Sequence, residues 1–324
     1  MTSQIGITMG DPSGVGPEII VATLAQMSHA EKASTIVVGN INILRRANEV
    51  LGLNLRFDCS GAFRSDHINV DHVSSSEEDM VQDGQISKAG GEAAYRYIVR
   101  AVDLAIENKI KVIVTAPINK EALHLAGHKF DGHTELLAHL TGAKESFMLL
   151  SGGKLSVIHV TTHMSLLNAV VKPSKKRIVS TIKVAAEHFR QLGIKHPRIA
   201  VAGLNPHCGE GGIFGNEEIE KVSPAISEAA QSGLNVVGPI SGDTVFYRAL
   251  KGEFDVVVAH YHDQGHIPTK LVSFEETVNV SLGLPILRTS VDHGTAFDIA
   301  WQGKAKNKNL KAAIQYARKI DKGD

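Results

Sequence analysis

The sequence predicts a layered α/β protein built on a mostly parallel sheet. Three observations carry this. Short β-branched runs alternate with longer helical patterns almost throughout the chain. The runs are apolar at consecutive positions rather than at every second one, as expected for strands covered on both faces. Glycine- and histidine-rich segments follow directly after several of the runs, where loops at the carboxyl edge of an α/β sheet collect ligand-binding residues.

In chain order, QIGITM (4–9) reads as a strand, followed by a Gly/Pro turn and a helix from about Pro17. TIVVGN (35–40) and KVIVTAP (111–117) are apolar runs bounded by turn residues. Between them Tyr95, Ile98, Val99, Val102, Ala105 and Ile106 recur at helical spacing. Further strands are read at 146–152, 155–161, 198–205, 235–240 and 254–261. Ile178, Ile182, Ala185 and Phe189 mark another amphipathic helix, opened by Pro173-Ser174. Neither repeats nor low-complexity segments interrupt the pattern.

Composition narrows the function. The 324 residues suffice for one large domain or two ordinary ones, and 43% are apolar and 21% charged. Lys+Arg and Asp+Glu both number 34, so no global field would draw the chain to nucleic acid or an anionic membrane, and an anionic ligand must be held locally. No apolar run is long enough to span a bilayer, and MTSQIGITMG lacks the pattern of a signal peptide. With only Cys59 and Cys208, a disulfide scaffold is not expected, and a reducing, cytoplasmic setting is. Histidine is the unusual residue: there are 16.

His163 in TTHM, His207 in NPHC and His262 in YHDQ each lie just past an expected strand. Three imidazoles from separate loops suit a catalytic metal with an open position, although a loop histidine alone is more often a surface hydrogen-bonder. Asp243 and Asp263 are further candidate oxygen ligands, with orientation of His262 as the alternative role for Asp263. Cys208 reads as a small buried residue. GDPSGVGPE (10–18) satisfies neither a GxGxxG nor a Walker pattern, so a tight strand-to-helix turn competes with a phosphate loop. Gly132-His133-Thr134 ahead of ELLAHL suits a phosphate at a helix N-terminus or, more simply, a Thr cap. Lys270, Asn279 and Arg288 have little acidic compensation around them and suit an anion, though each alone would pass as a surface residue. DHGTAFDIAWQGKA (292–305) reads either as a capped helix start, with Asp298 in the first turn, or as an adenosine loop.

Taken together, GDPSGVGPE, TAPINKEALHLAG, FDGHTE, TTH, GLNPHCGEGG, GDTVF, YHDQGH and VNVSLGLPILRTSVDHGTA resemble, over nearly the whole chain, the 4-hydroxythreonine-4-phosphate dehydrogenase family. The resemblance implies two α/β/α-layered domains with a central cleft, as in isocitrate and isopropylmalate dehydrogenases. The corresponding domains are residues 1–128 with 286–324, carrying the cofactor loop, and 129–285, carrying metal ligands and dimer contacts. It implies a homodimer with a shared active site and one divalent metal (Zn, Mg, Co or Mn) held by His163, His207 and His262. The implied substrate residues are His133, Thr134, Lys270, Asn279 and Arg288. The HGTAFDIA segment is similar to the cofactor loop of β-decarboxylating dehydrogenases, which implies NAD bound through Gly294, Thr295, Ala296 and Asp298. Two departures stand out: Cys208 replaces a usual alanine, and GHIPTK replaces a more hydrophobic segment. GHIP and HGTAFDIAW look more like the branch acting on D-threonate or D-erythronate 4-phosphate.

The expected reaction is NAD-dependent oxidation and decarboxylation of a four-carbon hydroxy acid 4-phosphate. For the general base Asp243 and Lys120 both remain open. A zinc aldolase or hydrolase acting on a sugar phosphate, or a metabolite-binding protein on the same fold, competes. An adenosine loop serves neither the aldolase nor the hydrolase, and an open metal position gives a pure binder nothing.

Overall fold

The computed structural model describes residues 5–74 and 81–321. Its contacts divide it into two compact units, residues 1–146 with 284–321, and residues 147–283.

The first unit holds β1 (Ile5–Thr8), β2 (Thr35–Gly39), β3 (Phe57–Asp58), β4 (Ile68–His72), β5 (Val112–Thr115) and, from the returning C-terminal segment, β12 (Leu287–Ser290). Their order is β3-β4-β2-β1-β5-β12, parallel throughout. β1, β2 and β5 are buried at every position, as their unbroken apolar character requires. Each fully buried Ile or Val, such as Ile7 or Val114, contributes roughly 1.5–3 kcal/mol relative to exposure. Register places Thr8, Thr115 and Ser290 side by side at the carboxyl ends of three neighbouring strands. The helix Gly16–Ala25 opens with Pro17 in its first turn. The helix Lys88–Ile106 is capped by Ser87, whose hydroxyl accepts the Gly90 N–H at 3.0 Å.

The second unit holds β6 (Phe147–Gly152), β7 (Leu155–His159), β8 (Ile199–Ala202), β9 (Val236–Ile240), β10 (Val256–Ala259) and β11 (Val278–Leu282), in the order β11-β6-β7-β10-β8-β9. β7, β10, β8 and β9 are parallel, whereas β6 runs antiparallel to both β7 and β11. The sheet of this unit is therefore mixed, because a two-residue turn joins β6 to β7 and such a hairpin can only be antiparallel. Leu155, Val157, Ala200, Ala202, Val257 and Ala259 pack beneath Val245 and Ala249 of the helix Gly242–Leu250. The helix Lys175–Gln191 begins where Pro173-Ser174 places it, with the Ser174 hydroxyl accepting the Arg177 N–H at 3.2 Å.

β3, β4, β11 and β12 are elements the sequence reading did not assign. Of the two readings left open for 292–305, the capped helix start with Asp298 in its first turn is overturned. Residues 297–303 form successive turns, and the last helix begins at Lys308. The cause is tertiary. The Glu18 carboxylate accepts the N–H groups of Trp301 at 2.5 Å and Gly303 at 2.7 Å, and Ala296 and Trp301 take positive φ angles of 46° and 61°. Backbone donors held by a distant carboxylate and left-handed residues cannot join a right-handed helix.

Candidate active site

Within the first unit, a cavity of about 130 Å³ opens at the carboxyl ends of β5 and β12. Thr115, Lys120, His133, Arg288, Ser290 and His293 are among the residues that line it. Arg288 is 4% exposed, and its Nε and Nη2 donate to the Thr115 hydroxyl at 3.1 and 2.7 Å. Burial lowers its pKa to about 9. His133 opens the helix His133–Thr141, with Gly132 rather than Thr134 as the cap. Its Nε2 is sealed from solvent and has no hydrogen-bond partner among the described residues. Burial, and then the Arg288 charge, holds the imidazole well below its ordinary pKa, so the ring is neutral at pH 7. A buried guanidinium, an exposed lysine, an orphaned imidazole nitrogen and a helix N-terminus together suit a small anion such as phosphate or carboxylate. Lys120 stands on the rim, its Cε 4.0 Å from where a Cβ on Gly132 would lie.

The segment 292–303 joins this cavity through His293. Gly294 and Asp298 are exposed, Thr295 is buried and Ala296 is half-buried. The GDPSGVGPE stretch forms the strand-to-helix turn behind it, with Asp11 accepting the Ser13 N–H at 2.9 Å. Asp11 is fully buried, and desolvation raises its carboxyl pKa to about 6.

In the second unit, His163, His207 and His262 follow β7, β8 and β10, three adjacent parallel strands, and so leave the same sheet edge. The rings of His163 and His262 lie 5.8 Å apart. His262 Nδ1 donates to the Asp263 carboxylate at 2.7 Å, leaving Nε2 as the free ring nitrogen. His207 does not complete the set: among the described residues no group of three His, Cys, Asp or Glu side chains is placed to hold one metal ion. His207, Cys208, Gly209, Glu210 and Gly211 all have positive φ, a left-handed curl, and the His207 and Phe214 ring centroids lie 6.5 Å apart. Glu218 secures this turn, one oxygen accepting the N–H groups of Leu204 and Asn205 at 2.7 Å each and the other accepting from Asn205 Nδ2 at 2.9 Å. Cys208 is partly rather than fully buried, and its thiol pKa is pushed up by that burial and by nearby Glu218 and Asp243.

His207 and Asp243 line a second cavity, of about 620 Å³, with Asn205, Gln264 and Phe246. Asp243 is exposed in the first turn of its helix. Lys270 shares the helix His262–Val272 with His262, eight residues or about 12 Å along the axis. Its ammonium lies 5.8 Å from the Phe274 ring centre. Asn279 sits on β11 opposite Leu150, its buried Oδ1 without a partner among the described residues.

Sequence reasoning passed over two histidines behind the pair. His266 stacks on His262 with 3.6 Å between ring centroids, and its Nδ1 lies 3.0 Å from the His262 carbonyl oxygen and 3.2 Å from His159 Nε2. Burial drops the His159 pKa to about 3. Gly265 is obligatory here, since a Cβ would fall 2.2 Å from His159 Nε2. The i, i+4 spacing of His262 and His266 was the available signal.

The comparisons with known proteins agree with these motifs. The family described as pyridoxal phosphate biosynthetic protein PdxA matches residues 31–317. The chain belongs to this family. It is 46% identical to a D-threonate 4-phosphate dehydrogenase of Cupriavidus necator, over 98% of this chain and 96% of that one. It is 45% identical to a 4-hydroxythreonine-4-phosphate dehydrogenase of Geobacter metallireducens, over 98% and 95%. The crystal structure of a 4-hydroxythreonine-4-phosphate dehydrogenase from Klebsiella pneumoniae superposes with a TM-score of 0.90 at 45% identity, covering 99% of this chain and all of that one.

Proposed function

We propose that this PdxA-family protein is an NAD-dependent dehydrogenase that oxidises and decarboxylates a four-carbon hydroxy acid 4-phosphate, with D-threonate 4-phosphate as its substrate. The observation that carries the reading is the first-unit cavity, where a buried arginine, an orphaned imidazole nitrogen and His293 of the 292–303 segment face one small space. An anionic substrate end beside a nucleotide loop is what oxidation of an acid phosphate requires. Relatives of both substrate names are about equally similar. The GHIP and HGTAFDIAW wording favours D-threonate 4-phosphate.

In this reading Arg288, His133 and the N-terminus of its helix hold one anionic end, so orientation comes from groups that do not react. Thr134, Lys270 and Asn279 supply further polar contacts, and Asn279 offers a buried acceptor in need of a donor. Gly294, Thr295, Ala296 and Asp298 would hold the adenosine of NAD, which when bound would supply the acceptor for the substrate's hydride. The hydroxyl proton goes to a base, Lys120 or Asp243. The new ketone stands β to the C1 carboxylate. Breaking C1–C2 releases CO2 and leaves the electron pair in an enolate, which protonation at C2 turns into a three-carbon ketone phosphate.

A divalent ion at the second unit's sheet edge belongs to the same reading. The His163–His262 pair and the free Nε2 of His262 support it; the present curl of residues 207–211 does not. A homodimer with a shared active site is proposed as well, supported by largely exposed apolar side chains on the second unit, among them Leu167, Ile213, Leu271 and Phe274. The fold is proposed to be that of the isocitrate and isopropylmalate dehydrogenases.

The test is D-threonate 4-phosphate labelled at C1, with released CO2 counted against NADH formed. A ratio near one is expected. NADH without CO2, or no NADH from any four-carbon acid 4-phosphate, would overturn the proposal.

A further inference from the structure

The GDPSGVGPE stretch, left between two readings by sequence, makes contacts that neither reading used. We infer that Glu18, with the turn that precedes it, is a positioning residue that fixes the shape of the 292–303 segment; the inference rests on that segment being the nucleotide loop.

The turn grips the segment at both ends. At the entry, Val15 N–H donates to the Thr295 carbonyl at 3.0 Å. Gly14 lies so close that a Cβ there would fall 2.8 Å from the Thr295 carbonyl oxygen and 2.9 Å from its Cβ. At the exit, the two oxygens of Glu18 take the N–H groups of Trp301 and Gly303. The Trp301 indole N–H donates to the Pro12 carbonyl at 3.1 Å, and the Arg46 guanidinium covers the ring at 4.1 Å. Exposed Gly294 and Asp298 lie between or beside these anchors, and the Asp298 carbonyl accepts from Gln302 at 2.9 Å.

Glu18 is 1% exposed. A buried carboxylate is costly unless its oxygens are satisfied, and here two backbone donors of a single turn satisfy it. Those donors belong to a segment with two non-glycine residues at positive φ, a conformation that persists only when its surroundings over-determine it. A glutamine cannot replace Glu18: one end of the amide would present N–H to a backbone N–H. Glu18 and Gly14 are buried and meet the segment's own backbone, so their effect on binding is through loop shape.

The experiment measures NADH binding by fluorescence titration on the full-length protein, amide hydrogen exchange over residues 295–303, and affinity for D-threonate 4-phosphate. Glu18→Gln removes the exit anchor. Gly14→Ala disturbs the entry anchor independently and guards against a variant that fails to fold. Each is expected to raise the NADH dissociation constant about tenfold, the scale of one lost charge-assisted hydrogen bond. Each should speed exchange at 295–303 while leaving acid-phosphate affinity within about twofold. Wild-type NADH affinity in both folded variants, or an equal loss of acid-phosphate affinity, would overturn the positioning role. Saturable NADH binding that leaves exchange at 292–303 unchanged in the wild type would instead overturn the nucleotide-loop reading itself, and with it this inference.

Discussion

Arg288 and Thr115 are joined by two hydrogen bonds that converge on one oxygen: guanidinium Nε and Nη2 both donate to the threonine hydroxyl, across neighbouring parallel strands. The contact fixes the plane of the guanidinium at the wall of the anion cavity. Burial lowers the Arg288 pKa to about 9, and the two bonds offset part of that desolvation cost.

Arg288→Lys keeps a positive charge and loses the planar fork. The KM for the acid phosphate should rise about 10- to 100-fold, the scale of one charged hydrogen bond, with NADH affinity unchanged. Steady-state kinetics beside an NADH titration check this, and an unaltered KM would remove Arg288 from the substrate site.

Metal content tests the histidine edge. Purified protein dialysed against a divalent metal should hold about one ion per chain by elemental analysis. His163→Ala and His262→Ala should lose it with unfolding midpoints within a few degrees of wild type, because a core of this size does not depend on a catalytic ion. Full metal retention in both variants would place the ion elsewhere.

If 292–303 is the nucleotide loop proposed above, nucleotide choice falls to Asp298, exposed on the 297–303 turns. A carboxylate there accepts from the ribose 2′-hydroxyl and repels a 2′-phosphate, so NAD should be preferred over NADP. Asp298→Ala should narrow the ratio of the two kcat/KM values by about tenfold. An unchanged ratio would exclude this residue.

Asp11 gives the stability a pH dependence of its own. Its native pKa of about 6 lies above the ordinary 3.8, so between those values the native state holds the proton more tightly than the unfolded chain. The carboxyl therefore favours folding progressively less as pH rises from 3.8 through 6. Relative to wild type, Asp11→Asn should gain about 2 kcal/mol between pH 4 and pH 7.5, from 1.36 kcal/mol per pKa unit. Urea denaturation at both pH values reads this directly; a difference independent of pH would show that Asp11 titrates normally.

Asp11 also marks where sequence reasoning stops. Its place in a Gly/Pro turn after an apolar run was legible, because Gly10 and Pro17 bias backbone angles locally. Its burial was not, since that depends on Ala116-Pro117 and on Gly90, far away in the chain.

What the sequence by itself determined is therefore local or periodic. The eight assigned strands, the helix starts at Pro17 and Ser174 and the histidine after each of three strands follow from apolar runs, caps and turn residues acting over a few positions. Family membership was equally legible, because long motifs in fixed order persist as letters. Tertiary structure alone decided the rest. Glu18 turns HGTAFDIAW from a helix start into a chain of turns by taking two of its backbone donors. Glu218 ties down Leu204 and Asn205, just ahead of the left-handed curl at His207. β12 pairs with β5 although about 170 residues separate them. In each case the deciding partner is remote in sequence, and a hydrogen bond between remote groups leaves no trace in local composition.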